Sequence, residues 1–231
     1  MKNKIILTVA AHPDDEILGC GGAMARFAEE GHEIHILILA EGLTSRDLKR
    51  DRDAKIGELS ELSRCASNAG KILGVKSVEL LDLPDNRMDS MDRLDIIKIV
   101  EKKIEDVRPG VIFTHFYNDL NVDHRLANEA VVTACRAFPG QTVKELYFFE
   151  VQSSTEWQIR NSAGNFTPNY FVSLSERQLQ KKLSALAEYR SEMREFPHAR
   201  SLEAVEALAK WRGASIGFPS AESFVLGRKI V

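Results

Sequence analysis

Short runs of apolar, β-branched residues alternate along the chain with longer amphipathic stretches, and this alternation constrains the fold more than any other feature. Lys4 to Ala11, Glu33 to Ala40, Val78 to Leu83, Val111 to Thr114 and Val143 to Glu150 have strand character. The segments Gly19 to Glu30, Arg46 to Leu73, Met91 to Val107 and Asp123 to Ala137 have helical character. Leu94, Ile97, Val100 and Ile104 recur at helical spacing, and Gly31, Gly74 and Arg108-Pro109-Gly110 stand where helices stop. Parallel strands need a crossover, and crossover helices cover both faces of the sheet. The expectation is an α/β, Rossmann-like fold with a mainly parallel sheet. With 231 residues, 44% of them hydrophobic, one core suffices, and residues 1–231 are expected to form a single domain.

Beyond Glu150 the pattern loosens. Ser153 to Pro168 has loop composition, Phe171 ends a short strand, Ser175 caps a helix running to Tyr189, and a second helix from Ser201 to Trp211 is closed by Gly213.

Composition narrows the classes of function. Asp and Glu number 34 against 31 Lys and Arg, a formal charge of −3, so no global positive field gathers nucleic acid. Cys20, Cys65 and Cys135 are widely spaced and form no CxxC, which argues against a disulfide framework or a thiolate zinc knot and suits a reducing cytoplasm. The first apolar run is cut short by His12-Pro13-Asp14-Asp15-Glu16, too soon for a secretory segment or a membrane span. Gly19-Cys20-Gly21-Gly22 lacks the GxGxxG spacing of a dinucleotide site, so close helix packing accounts for it better.

In an open parallel sheet, ligands bind beyond the C-terminal ends of the strands. Two strand-end loops concentrate three of the six histidines: Ala11-His12-Pro13-Asp14-Asp15-Glu16, and the stretch from His115 through Asn121-Val122-Asp123 to His124. A catalytic zinc ion needs three nitrogen or oxygen ligands and one open position, and His12, Asp15 and His124 would supply that set. Pro13 restricts the loop so that Asp14 is aimed differently from Asp15 and is left for proton transfer. Taken singly, each piece has a plainer reading: paired carboxylates before a helix commonly cap it, Asp123 would do the same for the helix at His124, and a lone strand-end His115 is usually structural. Their joint occurrence at the strand ends of one sheet favours a metal centre.

These two loops resemble the signature of the LmbE/PIG-L family of zinc-dependent N-deacetylases, which remove acetyl groups from N-acetylglucosamine units. Weaker likeness extends to Leu83-Pro84-Asp85-Asn86-Arg87, Ala69-Gly70-Lys71-Ile72-Leu73-Gly74 and Pro197-His198-Ala199-Arg200-Ser201. The resemblance implies zinc on His12, Asp15 and His124, Asp14 as general base, and Asp123 supporting the site. Many members carry a further histidine three residues before the metal-binding one, where it stabilises the oxyanion. This chain has Asn121 there, which leaves Asn121 or His115 as the helper.

For substrate, Arg46 and Arg87 stand on strand-end loops where they could pair with phosphate oxygens. The resemblance adds Asp85 as a contact to sugar hydroxyls and Arg64 near a sugar position. The implied partner is an N-acetylglucosamine derivative carrying a phosphate or nucleotide, acted on by a cytoplasmic enzyme that can form a homo-oligomer. Two other readings use the same residues: a non-haem iron enzyme, since two histidines and a carboxylate also hold Fe2+, and a non-catalytic sugar-nucleotide binding module.

Overall fold

Ile5–Ala10 forms the first strand, β1, and Asp15–Glu29 the first helix, α1. They are followed by β2 (Glu33–Ala40), α2 (Ile56–Leu73), β3 (Ser77–Leu83), α3 (Arg93–Val107), β4 (Val111–His115), α4 (Val122–Ala134) and β5 (Glu145–Phe149). The chain closes with β6 (Tyr170–Ser173), α5 (Glu176–Glu188), α6 (Leu202–Ala214) and β7 (Ala221–Lys229). The computed structural model describes residues 3–159 and 162–231, so Arg160 and Asn161 of the expected Ser153–Pro168 loop lie outside the described residues.

The described residues form one seven-stranded sheet in the order β3-β2-β1-β4-β5-β7-β6. The first five strands of that order are parallel, and β7 runs antiparallel between β5 and β6. The expected α/β architecture is thus present. Side chains alternate across it: Ile34, Ile36 and Ile38 of β2 pack with α1, α2 and α5 on one face, while Leu37 and Leu39 pack with α3 and α4 on the other. Burial on both faces explains why β1 and β2 are nearly continuous apolar runs.

Three expectations need correction. α1 starts at Asp15 rather than Gly19, and a Cβ at Gly19 would lie 2.3 Å from the Phe149 ring, which is the close packing that the glycines permit. The stretch expected to open the long helix at Arg46 instead forms two short 3-10 turns, Thr44–Arg46 and Asp53–Lys55. Its charges explain this. Arg50 donates to both oxygens of buried Glu41 at 2.7 and 2.9 Å and to the Asp82 carbonyl at 2.6 Å, drawing the segment across the ends of β2 and β3. Finally, β7 was not anticipated, because its inner residues are polar.

The polar start of β7 has a purpose in packing. α1 is kinked at Cys20 (φ −148°, ψ 23°), and the amides of Gly22 and Ala23 donate to the Glu222 carboxylate at 2.9 and 2.6 Å. Lys182 of α5 completes the group, its Nζ 2.6 Å from Glu222 Oε1 and 2.8 Å from the Leu18 carbonyl. Both side chains are about 5% exposed or less. Removing one partner of such a pair leaves an uncompensated buried charge. Lys182→Met is therefore expected to destabilise the protein by about 3–5 kcal/mol in urea unfolding; a loss below about 1 kcal/mol would show that the pair is dispensable.

Candidate metal centre

β1 and β4 are neighbours in the sheet, and the helices that follow them lie on opposite faces, so a crevice opens between their C-terminal ends. Both motif loops line it. The Ala11 amide donates to His115 Nε2 at 2.8 Å and so ties one loop to the other. At the start of α1, Asp14 adopts φ 101°, a conformation that costs a non-glycine residue on the order of 1–3 kcal/mol. The surroundings hold it there. The Asp14 carbonyl accepts from the amides of Ile17 and Leu18 at 3.0 and 2.9 Å, and its own amide donates to Glu16 Oε2 at 3.1 Å. Glu16 is in turn fixed by the Tyr189 hydroxyl at 2.6 Å.

Asp15 Oδ2 stands 3.1 Å from His12 Nδ1 and 3.1 Å from His124 Nε2, and the ligand atoms of the three residues all lie within 4.8 Å of one another. His124 Nε2 and Asp15 Oδ1 are buried without a hydrogen-bond partner among the described residues. These two unpartnered atoms, converging with His12 Nδ1, fit a divalent cation, as the sequence implies.

The far nitrogens of both rings meet carboxylates. His12 Nε2 is 3.1 Å from Asp123 Oδ2 and 3.4 Å from Asp85 Oδ1, and His124 Nδ1 is 3.1 Å from Asp119 Oδ1. Such partners set the tautomer and orientation of a ligating ring. They are themselves fixed: Asp123 accepts from the Met88 amide at 3.0 Å, Asp85 from the Ser45 amide at 3.0 Å, and Asp119 from the Asn121 amide at 2.9 Å and the Ser154 and Thr155 hydroxyls. His12, Asp85 and Asp123 also lie close enough together to hold an ion, but these hydrogen bonds make the two carboxylates an outer ring behind His12.

The protonation pattern follows from burial and neighbours. Burial works against charge on His124, yet Asp15 and Asp119 raise its pKa to about 9, and Asp123 and Asp15 hold His12 well above its ordinary value by the same means. Against its own burial, Asp15 is held well below the carboxylate range by His124 and His12. Asp119 is lowered to about 2, chiefly by His124. Asp14 goes the other way: burial pushes it well above the usual range, against the pull of Arg200. Two adjacent aspartates are thus pushed in opposite directions, Asp15 toward the anion and Asp14 toward the protonated form.

The remaining expected site residues fare differently. His115 is fully buried and stacked on His124 with ring centroids 4.0 Å apart; its Nε2 accepts the Ala11 amide and cannot donate to an oxyanion. Asn121 caps α4: its Oδ1 accepts from the Asp123 amide at 2.9 Å and its Nδ2 donates to Asn86 Oδ1 at 2.7 Å, so its amide is engaged at both ends. The arginines are also occupied. Arg46 is paired with both oxygens of Glu192 at 2.8 and 2.7 Å, Arg64 with Glu61 on an exposed face of α2, and Arg87 with the carbonyls of Asp47 and Leu48 at 3.0 and 3.2 Å. Asp85 is brought to the centre, against His12. Two residues that sequence reasoning did not single out are there as well: Asp119, five positions before His124, and Arg200, whose Nη1 lies 3.0 Å from Asp14 Oδ2.

Residues 7–135, more than half of the chain, match the family model described as PIG-L, GlcNAc-PI de-N-acetylase. The chain is also 32% identical over 194 residues to the uncharacterized deacetylase YaiS of Escherichia coli K12, covering 82% of this chain and 92% of that one. The chain belongs to the PIG-L family. Its enzyme class is that of a deacetylase, a hydrolase of an amide C–N bond. A probable N-acetyl-α-D-glucosaminyl L-malate deacetylase of Bacillus cereus is 24% identical over 212 residues, covering 89% of this chain and 93% of that protein. Among solved structures, the 4-carboxy-2-hydroxymuconate hydratase GalB of Pseudomonas putida KT2440 shares the fold with a TM-score of 0.77 at 24% identity, covering 99% of this chain and 98% of that one.

In the metal-free protein, the raised pKa of His124 contributes stability that is complete below its ordinary 6.5 and is lost as pH rises through about 9. A divalent ion bound at His124 would take the place of that proton. The gap in Tm between metal-loaded and metal-free protein is therefore expected to widen between pH 6.5 and about 9 in scanning calorimetry. A gap that stays constant or narrows would contradict the ligand assignment. Asp119→Ala is expected to weaken metal affinity by roughly 10–100-fold in a chelator competition titration.

Proposed function

We propose that the chain is a zinc-dependent N-deacetylase acting on an N-acetylglucosamine derivative. The observation that carries this reading is Asp14, buried beside the three converging ligands with Oδ2 on Arg200 and Oδ1 without a hydrogen-bond partner among the described residues. The family description and the Bacillus cereus relative supply the sugar. With Arg46, Arg64 and Arg87 engaged by their own chain, a phosphate or nucleotide on the substrate would have to compete with those partners.

When bound at His12, Asp15 and His124, zinc supplies Lewis acidity that activates water near neutral pH and polarises an amide carbonyl. Asp14 Oδ1 accepts the proton of the attacking water as the new C–O bond forms and the carbonyl π pair moves onto oxygen. Its elevated pKa lets it keep that proton. When the tetrahedral carbon collapses and the C–N bond breaks, Asp14 returns the proton to the departing nitrogen, leaving acetate and a free amine. His12 and His124 keep their orientation throughout through Asp123, Asp85 and Asp119.

An iron enzyme would use the same three ligands, but Asp14 beside them with a free oxygen suits hydrolysis. A non-catalytic module would have no need of the complete set. The single sheet running from β1 to β7 supports reading residues 1–231 as one domain. The buried, unpaired Cys20, Cys65 and Cys135 support a reducing cytoplasm, and no helix among the described residues is long and apolar enough to cross a membrane.

The test is acetate release from free, phosphorylated and nucleotide-linked N-acetylglucosamine, before and after chelation and zinc restoration. Asp14→Asn is expected to retain zinc and lose roughly 10²–10⁴ in kcat, whereas His124→Ala loses the metal. Release that persists after complete chelation, or from no acetamide at all, would overturn the proposal.

A further inference from the structure

Amide hydrolysis builds negative charge on the acyl oxygen, and a preorganised donor aimed at it contributes much of the catalysis. The histidine that many family members place there is Asn121 in this chain, and neither end of its amide is free. His115 is closed off by the Ala11 amide. The cation that does touch the reaction centre is Arg200, from the segment joining α5 to α6.

Arg200 is held unusually well for a residue in a connecting segment. Nη1 donates to Asp14 Oδ2 at 3.0 Å and Nε to Ser153 Oγ at 2.6 Å, while the Arg200 amide donates to His198 Nδ1 at 3.0 Å. Ser153 adopts φ 67° and its amide is held by Glu156 at 2.6 Å; next to it, Gln152 donates to the Ala199 carbonyl at 3.1 Å. The loop after β5 and the segment before α6 therefore brace one guanidinium against Asp14. Two of its three nitrogens are spoken for, and Nη2 has no hydrogen-bond partner among the described residues. The side chain is 22% exposed while Asp14 is buried, so the guanidinium reaches from Asp14 toward solvent.

We propose that Arg200 takes over the role left open by Asn121: its Nη1 orients Asp14 with Oδ1 toward the water, and its Nη2 donates to the acyl oxygen as that oxygen becomes an oxyanion. The inference rests on the hydrolase reading above. Arg suits both tasks because its planar fork presents two donors at once, which a lysine ammonium on a flexible stem does not.

The experiment compares wild type with Arg200→Met and Arg200→Lys. Arg200→Met is expected to lose roughly 10²–10³ in kcat with KM changed by less than about threefold and zinc content unaltered. A methylphosphonamidate of glucosamine, whose tetrahedral phosphorus mimics the transition state, is expected to bind the variant weaker by roughly the same factor in calorimetry, with glucosamine affinity unchanged. In Arg200→Ala, added methylguanidinium should restore turnover saturably. Should Arg200→Met fail to fold, Arg200→Lys keeps the charge and is expected to lose at least about tenfold in both readouts. Equal phosphonamidate affinity in wild type and variants, or turnover within about threefold of wild type, would overturn the assignment. If wild type itself releases no acetate, the hydrolase reading falls, while the phosphonamidate comparison still decides whether Arg200 meets a tetrahedral oxyanion.

Discussion

One oxygen atom joins the two halves of the centre. Asp15 Oδ2 accepts the His12 amide at 2.9 Å and lies 3.1 Å from both His12 Nδ1 and His124 Nε2, so the start of α1 and the start of α4 converge on it. That convergence requires β1 and β4 to be adjacent, Asp14 to turn through a positive φ, and Asp15 to sit in the first turn of a helix, where the macrodipole favours an anion. Around it Asp14, Glu16, Asp85, Asp119 and Asp123 are also buried. Glu16 responds to burial with a pKa near 7. Two imidazoles and Arg200 offset only part of so much acid in a poorly solvated crevice, and unpaired buried charge is costly. A divalent cation would relieve the excess, so the arrangement that is costly without a metal is the one that would give a metal its affinity.

Much of this was legible in the sequence, for identifiable reasons. Strands buried on both faces need continuous apolar runs, and β1, β2 and β4 announce themselves that way. His12, Asp15 and His124 stand out because a metal site demands particular side chains at particular loop positions, and the fold brings the ligand atoms of these three within 4.8 Å of one another. What was missed is what depends on partners distant in sequence. β7 looks irregular because Glu222 and Ser223 face inward to satisfy the kinked α1 and Glu150 rather than an apolar layer. The 46–55 segment has helical composition, but Arg50 and Arg52 are spent on Glu41 and Asp82. Arg46 and Arg87 stand on the expected strand-end loops, and only the fold shows that Glu192 and two backbone carbonyls already hold them. A charged residue on a loop cannot reveal from sequence whether its partner is a substrate or its own chain.

The division of labour along the chain bears on chemistry. The family match ends at residue 135, and every proposed metal ligand falls before that point. The carboxylates that surround the ligands also fall before it, but several groups that fix them come from after it: Ser154 and Thr155 fix Asp119, Tyr189 fixes Glu16, and Arg200 braced by Ser153 holds Asp14. GalB, named as a hydratase, shares the fold over essentially the whole chain, so the architecture alone does not choose a reaction. A metal held by His12, Asp15 and His124, as proposed above, would supply an activated water. What such a water attacks would depend on the donors and acceptors set around it, and in this chain these include Asp14 before α1 and Arg200 on the segment between α5 and α6. A substitution at Arg200 would therefore bear on the identity of the reaction more directly than one at His12 or His124, which would remove the proposed metal and with it every reaction that the centre could perform.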